Sequence, residues 1–461
     1  MKPLRRWQRQ CIDRALDHYR SYPHFFCQAT PGAGKSRMAA EVAHQLLKDG
    51  KIDLVVCFAP SVSVVDSLRE AFSQTLGRRF DGRMGSAGGA FTYQSMAHLH
   101  DSFWELFEDY RVMVVFDEIH HCAGSDPLLS NAWGQQILLR IQQHATVTLA
   151  LSGTPWRSDE QSIVLARYSN PEGQLICDYS YGLREAVSDL VCRSPRIVLV
   201  DNGHVILTEE AEPRQPRFFP SIGGLLRESA ISYDDVLQHN DAIQQILSLG
   251  TERLDRIRTT ISDAAGLVVT SSVAHAQQVA AMLASMGETF QVATYKAPNA
   301  QQVIEGFRTS TTCRWIVTVG MISEGTDIPR LQVCCHLSRV RTELHFRQVL
   351  GRILRRRSTS DDQAWLYVLA EPALERFSRR IGDDLPDDLA VVSEVSGSTR
   401  AVNGKSSSQE LPGEGKIMEK LSDSGLAEKP SKGQPRQLSE PPPALRLELS
   451  QHFRHQVLAL F

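Results

Sequence analysis

The stretch Ala29–Ser36, ATPGAGKS, constrains this chain more than any other feature. It follows a short apolar run, Phe25–Ala29, and precedes a helix-like stretch, Met38–Lys48. Strand, glycine loop and helix in that order match the P-loop pattern, with Ala29 in place of the first glycine. Gly32 and Gly34 let the backbone curl so that its N–H groups surround phosphate oxygens, and Thr30, Pro31 and Ala33 belong to the same cradle. The helix N-terminus adds partial positive charge. Lys35 is placed to reach the β- and γ-phosphates of a nucleotide, and the Ser36 hydroxyl to ligate magnesium.

A second segment supplies the carboxylates that such a loop needs. VMVVFDEIH, Val112–His120, is an apolar strand with two acids at its C-terminal end, where α/β proteins carry their sites. Two adjacent acids at a buried strand end are costly without a cation. Asp117 is expected to hold magnesium, directly or through water. Glu118 is expected to polarise the attacking water as general base.

The rest of the chain repeats the theme. Leu54–Ala59, Val112–Phe116 and Val147–Leu151 read as further buried strands of a first unit. Ile197–Val200, Leu267–Thr270, Phe290–Thr294, Trp315–Val319, Val333–Leu337 and Trp365–Leu369 read as a second set. Apolar strands separated by helix-length stretches imply parallel sheets covered on both faces. The expected fold is therefore α/β with two tandem units, residues 1–180 and 181–385, divided near Tyr179–Leu183. Residues 202–260 fit neither unit well; an irregular run precedes a helix-like segment around Tyr233–Arg258. Residues 386–443 are rich in Ser, Gly, Pro, Lys and Glu and read as a disordered linker. Ala444–Phe461 reads as an amphipathic helix, with Leu445, Leu449, Phe453, Val457 and Leu460 on one face. Such a helix is marginal alone and is expected to dock, on its own chain or on a protein partner.

The formal net charge of the 461 residues is −3, so any nucleic-acid site must be a local patch. Nine cysteines without a CxxC pair or zinc spacing fit reduced thiols. No apolar run reaches the roughly 18 residues of a membrane span. MKPLRRWQRQ lacks the apolar core of a signal peptide. The expected location is cytoplasmic.

With both phosphate-site motifs in place, residues 1–385 resemble the superfamily 2 helicases of DExH type. Type I and type III restriction motor subunits and phage recombination helicases look most similar. The resemblance implies two RecA-like P-loop NTPase domains that hydrolyse ATP with Mg2+ between them. LRRWQRQ, Leu4–Gln10, looks like the adenine-reading motif, with Gln8 on the base edge and Trp7 or a neighbouring ring stacked on it. VVCFAPSVSVVDSLRE, Val55–Glu70, and TYQSM, Thr92–Met96, are similar to motifs that touch the nucleic-acid backbone; Ser61 and Thr92 are the candidate contacts. LSGTPWRSD, Leu151–Asp159, resembles the motif that links the two sites through Ser152 and Thr154.

In the second unit, the segment from Gly266 to Leu283 resembles a phosphate-contacting motif, with Ser271 as its candidate contact and Ser272 and His275 beside it. WIVTVGMISEGTDIP, Trp315–Pro329, implies that Gly325 and Asp327 meet the ATP ribose and that Thr318 meets the nucleic-acid backbone. FRQVLGRILRR, Phe346–Arg356, has the QxxGRxxR form. On a helix, Gln348, Arg352 and Arg355 share a face. Gln348 is the candidate for the γ-phosphate or attacking water, and Arg352 and Arg355 are the candidate arginine fingers. The DEIH and SGTP forms favour DNA over RNA as the partner. An RNA helicase, or an ATP-gated clamp or recruitment scaffold, remain the alternatives.

Overall fold

A computed structural model describes residues 3–124, 130–157, 159, 161–170, 173–209, 215–319, 328–358, 360–381 and 445–459. In the first unit, strands β1 (His24–Ala29), β2 (Leu54–Ala59), β3 (Gly88–Thr92), β4 (Val112–Asp117) and β5 (Val147–Ser152) precede a two-residue-per-strand hairpin, β6 (Arg167–Tyr168) and β7 (Leu175–Ile176), and then β8 (Tyr179–Tyr181). Six of them form one sheet in the order β3–β2–β4–β5–β1–β8. Every pairing in it is parallel. The near-continuous apolar runs follow from this arrangement, because both faces are covered. Side chains alternate along each strand. Phe25, Cys27, Val55, Cys57, Met113 and Val115 join one apolar cluster. Phe26, Val56, Phe58, Val114 and Phe116 join another across the sheet.

The second unit contains β9 (Ser194–Asn202), β10 (Val205–Glu209), β11 (Arg217–Phe219), β12 (Ala265–Thr270), β13 (Phe290–Thr294), β14 (Trp315–Val319), β15 (Leu331–Leu337), β16 (Gln363–Leu369), β17 (Leu445–Leu449) and β18 (Phe453–Ala459). Its main sheet runs β13–β14–β12–β15–β16–β9–β18. All pairs are parallel except β18, which lies antiparallel on β9. The 19-residue helix Asn240–Arg258 packs on β15 and β16. Gly250 permits that approach, since a Cβ there would fall 2.7 Å from the Cys335 sulfur. The described residues of 202–260 pack with the second unit, contributing two strands of a small sheet and three helices.

The C-terminal expectation is corrected by the structure. Leu445–Leu449 and Phe453–Ala459 are strands, not a helix. β17 pairs with β10 from Leu445 to Leu449, and β18 pairs with β9 from Phe453 to Ala459. LRLEL alternates apolar and polar residues with period 2, and that period prevails over the helical spacing that omits Leu447 and Leu458. Residues 445–449 and 453–459 dock on the second unit by strand addition. The expected linker, 386–443, lies outside the described residues.

Candidate functional site

The P-loop sits where β1 meets the helix Lys35–Lys48. Gly32 and Gly34 both adopt left-handed backbone, with φ of 81° and 95°. Gly34 is the residue just before the helix, so the curl ends at the first free helical N–H groups. Two side chains from the first helix, Arg6–His18, and its N-cap brace the loop from outside. The Gln8 amide donates to Gly34 O at 2.9 Å, and Arg5 donates to Ala33 O at 2.5 Å. Gln8 also accepts from the Arg5 N–H at 2.9 Å. Trp7 is corrected from a base-stacking candidate to a core residue. It is 1% exposed and stacks on Tyr181 with ring centroids 4.8 Å apart.

Lys35 and Glu118 meet directly. The Lys35 ammonium donates to Glu118 Oε1 at 3.1 Å and to Ala29 O at 3.2 Å. Burial works against the ammonium, but Glu118 and Asp117 outweigh it and hold Lys35 above its ordinary value. Burial also opposes the Glu118 carboxylate, yet Lys35 and His120 bring it down to about 2. Glu118 carries left-handed backbone at φ 52°, ψ 52°, uncommon for a residue with a Cβ. Its Oε2 accepts from the Gly153 N–H at 3.3 Å and lies 3.4 Å from His120 Nδ1. Asp117, at the end of β4, is 7% exposed, and its carbonyl accepts from the Tyr93 hydroxyl at 2.9 Å.

The SGTP segment is wired to the acids. His120 Nδ1 is 2.9 Å from Ser152 Oγ, which in turn accepts from the Thr154 N–H at 3.1 Å. Arg157 pairs with Asp159 and donates to His120 O at 2.5 Å. No spacing rule pointed to His120; its place directly after DEI is the only signal it left.

The second unit closes over the loop. Gly351, on the helix Glu343–Ile353, faces Pro31 so closely that a Cβ on Gly351 would lie 2.8 Å from it. A Cβ on Gly32 would fall 3.0 Å from Arg355 Cγ. Arg347 stands 5.2 Å over the Trp156 ring. The shared helical face needs correction at Arg355. The helix ends at Ile353, with Leu354 as its C-cap. Arg355 instead lies in extended chain, bridged antiparallel to Cys192. Burial presses its guanidinium down to about 10. Gln348 and Arg352 remain on the helix, one turn apart and partly buried.

The nucleic-acid candidates separate into two groups. Ser61, Thr92 and Ser271 sit at or just beyond the C-terminal ends of β2, β3 and β12, and all are partly exposed. Ser271 Oγ lies 2.9 Å from Nδ1 of His275, a ring that is itself buried. Thr318 is corrected. It is fully buried in β14, between β12 and β13, and offers no surface to a strand. Gly325 and Asp327 lie outside the described residues.

The donor set fits magnesium in one specific way. Among the described residues no group of three or more His, Cys, Asp and Glu gathers. Asp117 and Ser36 beside a phosphate cradle suit an ion held chiefly by phosphate oxygens and water.

Residues 1–157 match the family model of the type III restriction enzyme, res subunit. An uncharacterised protein of Mycobacterium leprae is 30% identical over 397 residues, covering 82% of this chain and 64% of the relative. An uncharacterised protein of Mycobacterium tuberculosis is 30% identical over 388 residues, covering 81% and 62%. The chain thus spans a little under two thirds of these relatives. Among solved structures, a fragment of a putative HsdR subunit of a type I restriction enzyme from Vibrio vulnificus aligns with TM-score 0.55 at 14% identity, over 82% of this chain and 66% of that one. An ATP-dependent type ISP restriction–modification enzyme bound to DNA aligns with TM-score 0.53 at 13% identity, over 80% and 28%. Residues 1–157 are thus similar to the type III restriction res subunit, and the fold, a tandem pair of RecA-like units, is the one these solved structures share.

Proposed function

We propose that this chain is an ATP-driven nucleic-acid motor that hydrolyses ATP between its two units and translocates on, or remodels, DNA. The observation that carries the reading is the apposition of two half-sites. Lys35 and Glu118 stand in the first unit, and the Gly351–Arg355 segment of the second lies against the same P-loop.

In this reading the loop from Thr30 to Ser36 wraps the phosphates, and Lys35 moves from Glu118 to the β/γ-phosphates when nucleotide arrives. Glu118, released from the ammonium but still held by the Gly153 N–H, takes the proton of the attacking water. Ser36 and Asp117 would hold magnesium together with the phosphates, and the bound ion would supply neutralisation of phosphate charge. Arg352 and Arg355 donate to the developing charge on the γ-phosphate oxygens, and Gln348 orients the water. Gln8 braces the loop and presents its remaining amide N–H to the base. Asp327 and Gly325 meet the ribose. Ser61, Thr92 and Ser271 follow one strand's phosphates from the carboxyl edges of the two sheets, where α/β folds place their ligands. Because the halves sit on different units, turnover depends on how the units close.

Steady-state ATPase with single-stranded DNA, duplex DNA, forked DNA and RNA tests this. DNA should stimulate turnover, and R352A should lose on the order of 10³-fold while still binding nucleotide. Stimulation by RNA alone moves the substrate to RNA. A rate indifferent to every nucleic acid overturns the motor and favours a clamp or scaffold.

A further inference from the structure

Arg193 stands where the chain crosses from the first unit to the second, and it is fully buried. A guanidinium has five N–H donors. Here all five have acceptors. Nε donates to Asp361 Oδ1 at 2.5 Å, and one terminal nitrogen donates to Asp361 Oδ2 at 2.7 Å and to Pro329 O at 2.9 Å. The other terminal nitrogen donates to Leu331 O at 2.5 Å and to Ile353 O at 2.6 Å. Asp361 is equally well held, since Gln332 and the Arg357 N–H also donate to it.

These partners are not scattered. Pro329 and Leu331 directly follow the segment that contains Gly325 and Asp327. Ile353 is the last residue of the helix that carries Gln348 and Arg352. The backbone continues the pattern. The Arg193 N–H donates to Leu354 O at 2.8 Å, and Cys192 bridges Arg355. The Cys192 thiol points to Pro31 O at 3.7 Å. The crossing segment is therefore clamped between the P-loop on one side and the Ile353–Arg355 turn on the other. A buried ion pair adds little net stability over apolar packing, so stability alone is a weak reason for it. Its geometry, by contrast, fixes where Arg355 stands.

We propose that Arg193, locked by Asp361, is a positioning residue that holds the Ile353–Arg355 turn against the P-loop so that Arg355 meets the nucleotide phosphates in the closed arrangement. This rests on the motor reading above. Arg193 touches no nucleotide itself; it acts through Arg355.

A double-mutant cycle on the full chain tests it. R193K keeps the charge opposite Asp361 but has only three donors, too few for the carboxylate and three carbonyls. With stimulating nucleic acid, kcat should fall about tenfold or more while the KM for ATP stays within about twofold. In an R355A background R193K should change kcat by less than about twofold, because the residue it positions is gone. R193M/D361L removes both charges together, leaves no lone buried charge and should show the same dependence on Arg355. Equal losses in both backgrounds, or a raised KM at unchanged kcat, overturn the proposal. Loss of the cooperative unfolding transition in both R193K and R193M/D361L makes the pair a stability element and also overturns it. A wild-type chain without nucleic-acid-stimulated ATPase fails the motor reading instead, and that failure is visible before any variant is made.

Discussion

Gly351 rests on Pro31, with room for a hydrogen but not for a methyl group: a Cβ on Gly351 would stand 2.8 Å from Pro31 Cβ and 3.0 Å from Pro31 Cγ. Gly351 lies inside a helix, where glycine costs about 1 kcal/mol relative to alanine. The close approach between units explains its presence better than helix formation does. G351A should keep or slightly raise thermal stability and keep nucleotide binding, which the proposed function assigns to the first unit. Turnover should drop about tenfold or more, because the added methyl holds the units apart. Fluorescent-nucleotide binding and steady-state ATPase on the same sample check this. Normal turnover in G351A would remove the contact from the mechanism.

Glu118 is the second test. Its carboxyl lies well below the ordinary carboxylate range, at about 2, so it is ionised throughout the neutral range. A depressed carboxyl contributes stability above its unfolded value of about 4.3 and loses it as pH falls through the folded value. An acidic limb of kcat/KM for ATP above about pH 5, which reports the free enzyme with Lys35 still on Glu118, must therefore come from another group. E118Q keeps the shape and removes the base. Nucleotide should still bind while kcat falls on the order of 10³-fold. Comparable turnover in E118Q and wild type rules out the general-base role.

Much of this site was legible because its chemistry is local. Gly32, Gly34, Lys35, Asp117 and Glu118 sit in two short segments whose residue types the phosphate chemistry dictates. The strands from Phe25 to Leu369 were legible because buried parallel strands are apolar runs. Strand β3, GGAFT, was not, since glycines carry no pattern. Thr318 was misread because its spacing says nothing about which way a mid-strand side chain points. Arg355 was misread because a helix end depends on what waits beyond it, here the Cys192 backbone. Arg193 and Trp156 left no local signal at all. Their partners, Asp361 and Arg347, lie far away in the chain.

The C-terminal strands give a third prediction. β18 completes the main sheet of the second unit and β17 extends its small sheet. Leu449 is buried, Leu447 and Phe453 pack on the core cluster, and Arg454 pairs with Asp201 at 2.9 Å. Deleting residues 445–461 uncovers one edge of β9 and one of β10. The second unit should lose on the order of 3 kcal/mol, from partial burial of several large side chains. Nucleotide binding by the first unit should persist. Hydrogen exchange along β9 and a calorimetric scan report the effect. Unchanged protection of Ile197–Val200 means that the strands do not hold the edge.

His336 gives the last. It is fully buried on β15, its ring edge-on to His345 at 5.7 Å and to Phe346 at 6.0 Å. Neither of its ring nitrogens has a hydrogen-bond partner among the described residues. Burial, with His345 nearby, presses its value from 6.5 down to about 3. The sign follows from linkage. The folded ring stays neutral, whereas the unfolded ring takes a proton below about pH 6.5, so acid favours the unfolded chain. Between pH 7 and pH 5 this single group should remove about 2 kcal/mol, with the loss continuing until the pH nears the folded value. H336L cannot bind that proton. The folded His336 ring stays neutral over this range, so its neighbour His345 meets no charge at position 336 in either chain and the difference between their pH dependences reports His336. Urea unfolding at pH 7 and pH 5 should therefore show wild type losing about 2 kcal/mol more than H336L does. Equal losses in the two chains would mean that the ring is already protonated in the fold, or that the strand opens before the proton arrives.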